Sequence, residues 1–101
     1  MGIARGTTPT HTFTTDINLE NAEVLYITYQ QAGNTILEKT LDDCTVSDTE
    51  IVIELSQGDT LAFDYKLPVE IQIRAKFADG SAVKSQIMTT DADRLLKEGE
   101  I

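Results

Sequence analysis

The chain has 101 residues, of which 41% are hydrophobic, and a formal net charge of −9 at pH 7. This length and composition predict one folded domain rather than a disordered chain. Because nucleic acids and anionic membranes are themselves polyanions, the charge argues against both as partners. The acidity suits a highly soluble protein, and the alternative is a protein with a basic partner.

The N-terminal segment is rich in threonine. Six threonines lie between Thr7 and Thr15, around Pro9, His11 and Phe13. Because threonine favours extended backbone, "THTFTTD" predicts the first strand, with Phe13 facing inward and His11 at the surface or rim. Proline is tolerated only at the start of a strand or on an edge strand. The segment is therefore predicted to be an edge strand or an extended arm.

Residues 1–8 are predicted to form a flexible arm, since "MGIARGTTP" has glycines and no local core to pack against. Such an arm can add a strand to the sheet edge of a neighbouring molecule. The alternative is a disordered terminus. A tyrosine that points outward from the next strand is a further candidate, because tyrosine often anchors interfaces. The candidate interface residues are Ile3, Arg5, Thr8, Pro9, His11 and Tyr26.

The next segments predict a β-hairpin and a broken strand. "EVLYITYQQ" alternates with a period of two and places Leu25, Ile27 and Tyr29 on one face. "AGN" supplies the turn, and "TILEKT" is the returning strand. After the polar corner "LDDC", the segment "TVSDTEIVIELS" again alternates, and Ser47–Asp48 is expected to divide it into two short strands or to form a bulge.

A single helical turn is predicted next, at "SQGDTLAF". Ser56 lies three residues before Asp59, a spacing that suits a helix cap, and this turn would carry the chain from one sheet to the other. "VEIQIRAKF" (69–77) is the clearest half-buried strand in the sequence. Asp79–Gly80 then predicts a tight hairpin turn. The returning strand is "SAVKSQIMTT", with Val83 and Ile87 on one face.

These elements predict an all-β fold. Six or seven short strands separated by turns are typical of an immunoglobulin-like antiparallel β-sandwich. The last segment, "TDADRLLKEGEI", predicts a short C-terminal helix that ends near Gly99. The domain is thus expected to span 1–101, with the arm at 1–8, the sandwich at 9–90, and a short helix or tail at 91–101.

Catalytic and metal-binding motifs are weak. Cys44 and the sole histidine, His11, could form a nucleophilic site with an acid such as Asp43, but no motif surrounds the cysteine. A lone cysteine is more often a small core residue. The acidic pairs lack the loop pattern of calcium sites, and no zinc or phosphate motif occurs. We therefore expect no enzyme activity, no metal and no cofactor.

Four segments carry a resemblance. They are "RGTTPTHTF" (5–13), "YITYQQAGNTILEKTLDD" (26–43), "LAFDYKLPVEIQIR" (61–74) and "ADRLLKEGEI" (92–101). In this order they resemble a family of small proteins of about this length that are encoded in prophages of Gram-positive bacteria. "GTTPTHTF" is the most specific of these pieces. The resemblance names no catalytic or binding residue that could be carried over.

The resemblance implies a phage structural or assembly protein, either a minor head or tail component or an accessory of morphogenesis. Its partners would be other phage structural proteins, with a homo-oligomer expected, and neither nucleic acid nor a membrane. The sequence shows no apolar core of a signal peptide. We therefore expect the protein in the host cytoplasm during assembly, and in the virion if it remains in the particle. The alternative is a soluble β-sandwich module that binds a host protein or a glycan.

Overall fold

Strands dominate the structure, a computed structural model that describes residues 2–101. Strands hold 49% of the residues and helices 8%, so the predicted all-β class is confirmed. The strands are β1 (Gly2–Ile3), β2 (Thr10–Thr14), β3 (Ala22–Gln31), β4 (Asn34–Thr40), β5 (Cys44–Val46), β6 (Glu50–Glu54), β7 (Val69–Phe77), β8 (Ala82–Lys84) and β9 (Met88–Ala92). A 3₁₀ helix (Leu41–Asp43) joins β4 to β5, and helix α1 (Gln57–Leu61) follows β6.

The strands form two sheets. The larger sheet has the order β1-β9-β7-β3-β4, and β8 also pairs with β7. The smaller sheet has the order β2-β6-β5. The chain passes between the sheets after β1, β2, β4 and β6. The helical turn predicted at Ser56 lies at the last of these crossings, where the Ser56 hydroxyl and the Asp59 carboxylate cap α1 reciprocally.

The core lies between the two sheets and follows the predicted alternation. In β2, β3, β6 and β7 every second residue faces the core, because successive side chains point to opposite faces. Removing a valine, leucine, isoleucine or phenylalanine side chain from water contributes roughly 1.5–3 kcal/mol. The larger sheet contributes Leu25, Ile27, Tyr29, Val69, Ile71 and Ala75, and the smaller sheet contributes Phe13, Ile51 and Ile53.

Both predicted hairpins are present. The turn between β3 and β4 is made by Ala32 and Gly33, which have φ of 50° and 80°. Positive φ at both positions matches the twist of the flanking strands. The divided strand is confirmed too, since β5 and β6 pair with each other on either side of Ser47–Asp48. The threonine-rich strand β2 is an edge strand with Phe13 inward, as predicted.

The predicted C-terminal helix is wrong. Met88–Ala92 is strand β9, which pairs with β7 on one side and β1 on the other, and residues 93–101 contain no helix. The adjacent β-branched residues Thr89 and Thr90 favour this strand over a helical turn. Beyond it, the carboxylates of Asp93 and Glu98 accept hydrogen bonds from Arg5. These contacts outweigh the helix-forming composition of "RLLKE".

The flexible arm expected at residues 1–8 is also contradicted over its described part. Strand β1 pairs with β9 in parallel, so this pair departs from the expected antiparallel arrangement. Ile3 is 1% exposed and belongs to the core. The Arg5 guanidinium donates two hydrogen bonds of 2.9 Å to the Glu98 carboxylate, and the Arg5 backbone N–H donates to Asp93. The segment is held because the C-terminal tail supplies its partners.

Candidate binding groove at an open sheet edge

An apolar groove opens between the two sheets on the side where β2 faces β8. Its volume is about 640 Å³, within the range of ligand-binding clefts. One wall is formed by β2 and the residues after it (12–17), and the other by β7, β8 and the segment after β8. The apolar lining consists of Phe13, Ile17, Leu19, Ile51, Ile73, Ala75, Val83 and Met88.

The groove opens because the strand that returns along β7 is interrupted. Val83 lies opposite Ala75, but Met88 lies opposite Ile71, so the register shifts by one residue between β8 and β9. Such a bulge moves the following side chains to the other face of the sheet. Met88 is therefore half-buried, while Ile87 is 57% exposed. The face that Val83 and Ile87 were predicted to share is not kept across this break.

Ser85 stabilises the interruption. Its backbone N–H donates to the Ile73 carbonyl, and its hydroxyl accepts a hydrogen bond from the Ile73 N–H. The Gln72 side chain donates to the Ser85 carbonyl. Beyond this point β1 pairs only with β9, at Asp91 and Ala92. In the described chain, therefore, no strand pairs with the outer edge of β8, and the groove remains open beside it.

The other rim of the groove is the outer edge of β2. Leu55 N–H donates to the Pro9 carbonyl and Thr15 N–H donates to the Thr49 carbonyl, so these two pairs face each other across the β2–β6 ladder. Antiparallel ladders alternate, so the backbone groups of Thr10, Thr12 and Thr14 point away from β6. These three alternate residues of the five-residue strand thus present unpaired N–H and C=O groups beside an apolar groove.

This edge carries no charge. Exposed sheet edges are usually protected by charged residues, by proline or by short length. The opposite edge strand, β4, contains Glu38 and Lys39, whereas β2 reads "THTFT" and has proline only in front of it. The remaining described edges, β1, β5 and β8, have two, three and three residues. Strand β2 is therefore the best template for strand addition in residues 2–101.

A buried polar pair lies behind the groove and corrects the surface position expected for His11. His11 is 3% exposed, and its Nδ1 lies 2.8 Å from the Tyr29 hydroxyl. The pair joins the two sheets, and Phe13 meets the imidazole edge-on at 6.3 Å. Burial lowers the pKa of His11 and raises the pKa of Tyr29. Both groups are thus neutral at pH 7, and their hydrogen bond satisfies polar atoms in the core.

The cysteine site considered from the sequence is not assembled. Cys44 Sγ donates to the Thr40 carbonyl at 3.2 Å. The Asp43 carboxylate accepts from the Thr40 N–H, and His11 is bonded to Tyr29. Burial raises the pKa of the Cys44 thiol, and thiolate is the nucleophilic form. Residues 2–101 also contain no group of three or more acidic, histidine or cysteine side chains that could hold a metal ion.

The candidate interface residues separate into two groups. Ile3, Arg5 and His11 are buried, so they cannot contact a partner in this state. The first two pack against the C-terminal segment, and the third is bonded to Tyr29. Three remain accessible, since Thr8 and Tyr26 are exposed and Pro9 is half-buried.

The sequence reasoning predicted β2 as an edge strand. It missed the groove and the lack of charged residues that leaves this edge unprotected. The available signal was the uncharged run "THTFT" on a strand already expected at an edge.

None of the helices in the described chain combines the length and apolar character required to cross a membrane. Comparison of the chain with protein-family models, with curated proteins and with solved structures finds no match.

Proposed function

We propose that this protein is a phage structural or assembly protein that acts by protein–protein contact, holding an extended strand of a partner on the edge of β2. The observation that carries the proposal is the uncharged β2 edge beside the apolar groove. The setting in a phage particle is the one implied by the resemblance of "RGTTPTHTF" and the three later segments. The partner is a phage structural protein that supplies an extended segment.

The groove favours such an occupant for a simple geometric reason. Side chains alternate along a strand, so a segment paired to β2 would point every second side chain into the space between the sheets. The groove walls there are apolar, while the outer face of β2 presents Thr10, Thr12 and Thr14. The favoured segment is therefore one with alternating apolar and polar residues. Main-chain hydrogen bonds would supply affinity, and the groove would supply specificity.

A proline substitution tests the edge. In Thr12→Pro the N–H that points away from β6 is lost, while the β2–β6 ladder keeps its bonds, a position that edge strands tolerate. We expect the variant to fold but to lose incorporation into phage particles. The measurement is quantitative mass spectrometry of particles purified from an induced lysogen of the strain that carries the gene. Circular dichroism of the isolated protein verifies the fold.

The matched control is Thr12→Val, which keeps the backbone N–H and a β-branched side chain. It is expected in particles at the wild-type level. A second pair of variants tests the groove. Val83→Asp places a charge in the apolar wall and should lower incorporation, whereas Val83→Thr preserves the shape of the side chain and is its control. Equal incorporation of the proline and valine variants, or absence of the wild-type protein from both particles and assembly intermediates, would overturn the proposal.

An immunoglobulin-like topology is part of the same proposal. It is supported by the two sheets and by the connections that pass between them after β2, β4 and β6. Backbone assignments and long-range contacts from nuclear magnetic resonance would test the strand order.

A further inference from the structure

A cluster of cations lies on the outer face of the larger sheet, on the two strands whose inner faces form one wall of the groove. Arg74 and Lys84 lie directly opposite each other on β7 and β8, and Lys76 follows on the same face of β7. These are three of the eight basic residues in the chain. Like charges opposite each other destabilise a sheet. The two ion pairs found in residues 2–101 do not involve any of the three.

Apolar groups lie next to these cations on strand β3. Tyr26 is opposite Arg74 and Val24 is opposite Lys76, and the two side chains are 40% and 38% exposed. Their neighbours on the strand, such as Leu25, point into the core, so this face is directed to solvent. We name Val24, Tyr26, Arg74, Lys76 and Lys84 the basic face. An apolar centre beside charged groups is the usual composition of a protein interface.

The outer face of the smaller sheet has the complementary charge. Strand β6 presents Glu50 and Glu54 on either side of the half-buried Val52. On β2 the residues opposite these three are Thr14, Thr10 and Thr12. No cation lies on this face of β2 or β6. We name Glu50, Val52, Glu54 and the three threonines the acidic face.

We propose that the basic face of one molecule docks on the acidic face of a second copy of the same chain. Charge complementarity selects this occupant, together with the apolar contact that Val24 and Tyr26, beside the cations, can make with Val52, which lies between the two glutamates. The two faces lie on opposite outer surfaces of the stacked sheets. A contact between different surfaces cannot close by two-fold symmetry, so the copies form a ring or an open stack. This inference rests on the proposed role in assembly, but it uses the outer faces of the sheets, whereas the partner strand uses the backbone edge of β2.

The overall charge sets the conditions for this contact. Copies with a net charge of −9 repel each other at long range. At physiological ionic strength the Debye length is about 8 Å, which screens that repulsion and preserves contacts between adjacent groups. Assembly is therefore expected near this ionic strength.

A charge exchange tests the contact. The double variant Arg74→Glu with Lys76→Glu makes both faces acidic, and Glu50→Lys with Glu54→Lys makes both faces basic. Each alone is expected to raise the concentration needed for assembly by more than about tenfold, because like charges then meet. A mixture of the two is expected to assemble in alternation. The measurement is size-exclusion chromatography with light scattering over a concentration series of the wild type, each variant and the mixture.

The control variant Arg94→Glu with Lys97→Glu changes the charge equally at exposed positions in the C-terminal tail, and wild-type assembly is expected. Val83→Asp separates the two proposals, since Val83 lines the groove and belongs to neither face. This variant should keep self-association while losing incorporation into particles. The inference would be overturned if the wild type is monomeric at every concentration or forms only a closed dimer. It would also be overturned if the mixture of the two charge variants does not assemble. Loss of self-association in Val83→Asp but not in Val83→Thr would also overturn it, because the contact would then lie at the groove.

Discussion

The two lateral sides of the stacked sheets are closed in different ways. On the side of β4 and β5, a 3₁₀ helix joins the sheets directly, and the Lys39 ammonium bonds the Asp59 carboxylate of α1 at 3.0 Å. On the side of β2 and β8, only one half is covered, by β1 and the Arg5–Glu98 pair, and the other half is the groove. The comparison shows that charges and short connections seal the first side, whereas the second keeps an uncharged edge available.

The largest expected effect is the difference in stability lost when an isoleucine is shortened in the core and in the groove wall. Ile27 is completely buried, while Ile73 is half-buried in the groove wall. Ile27→Ala is expected to lower the free energy of unfolding by about 2–5 kcal/mol, because it leaves a cavity that the core cannot fill. Ile73→Ala should lower the free energy of unfolding by clearly less, because water already reaches the groove. Urea unfolding of both variants gives the comparison, and equal losses would mean that the groove is closed in solution.

Breaking the ion pair on the sealed side is expected to change the free energy of unfolding by a smaller amount. Side chains of Lys39 and Asp59 are each 19% exposed. Burial opposes ionisation of Asp59, but hydrogen bonds from Ser56 and Lys39 prevail and lower its pKa. Lys39→Met is expected to lower the free energy of unfolding by about 1–2 kcal/mol, between the values for surface and buried pairs. Thermal unfolding measures it, with the exposed Lys66→Met as the control, which should change little.

The buried histidine predicts a pH dependence. Because burial lowers the pKa of His11 in the folded state, the unfolded state binds more protons as the pH falls below about 6.5. Stability is therefore full at neutral pH and declines as the pH falls through the interval between the two pKa values. The carboxylates whose pKa is lowered (Asp43, Asp59, Asp79 and Glu98) lose their contributions at lower pH, below the ordinary pKa of a carboxyl group.

The variant His11→Phe isolates this effect. Its unfolding free energy should change less than that of the wild type between pH 7 and pH 5, and the difference between the two curves is the measured quantity. Parallel curves would show that His11 keeps its ordinary pKa and that the pocket behind Phe13 is wet.

Local rules were sufficient to predict the parts of the fold that depend on neighbours in sequence. Alternation at Leu25, Ile27 and Tyr29 indicated the buried face, and the glycines at 33 and 80 marked both hairpins. The errors arose where distant residues decide the outcome. Ile3 and Arg5 become buried only because the tail at residues 92–98 lies beside them. His11 is a different case, because its position two residues before Phe13 already places it on the inner face, where the Tyr29 hydroxyl satisfies its ring nitrogen.

The candidate site was harder to predict for the same reason. A groove is a space between elements, and its presence depends on the one-residue shift between Val83 and Met88. "SAVKSQIMTT" gives no sign of that shift, since either register leaves an apolar residue on the inner face. The edge at β2 was foreseen from Pro9 and the threonines. Its position beside the groove follows only from the stacking of the two sheets.

Hydrogen exchange of the outward amides of β2 tests the central claim most directly. In the isolated protein the N–H groups of Thr10, Thr12 and Thr14 should exchange rapidly, while those of His11 and Phe13, which face β6, stay protected. In assembled particles all five should become slow, because a partner strand then accepts the outward bonds. Strong protection of the three threonine amides in the isolated monomer would contradict the account, since the edge would already be covered.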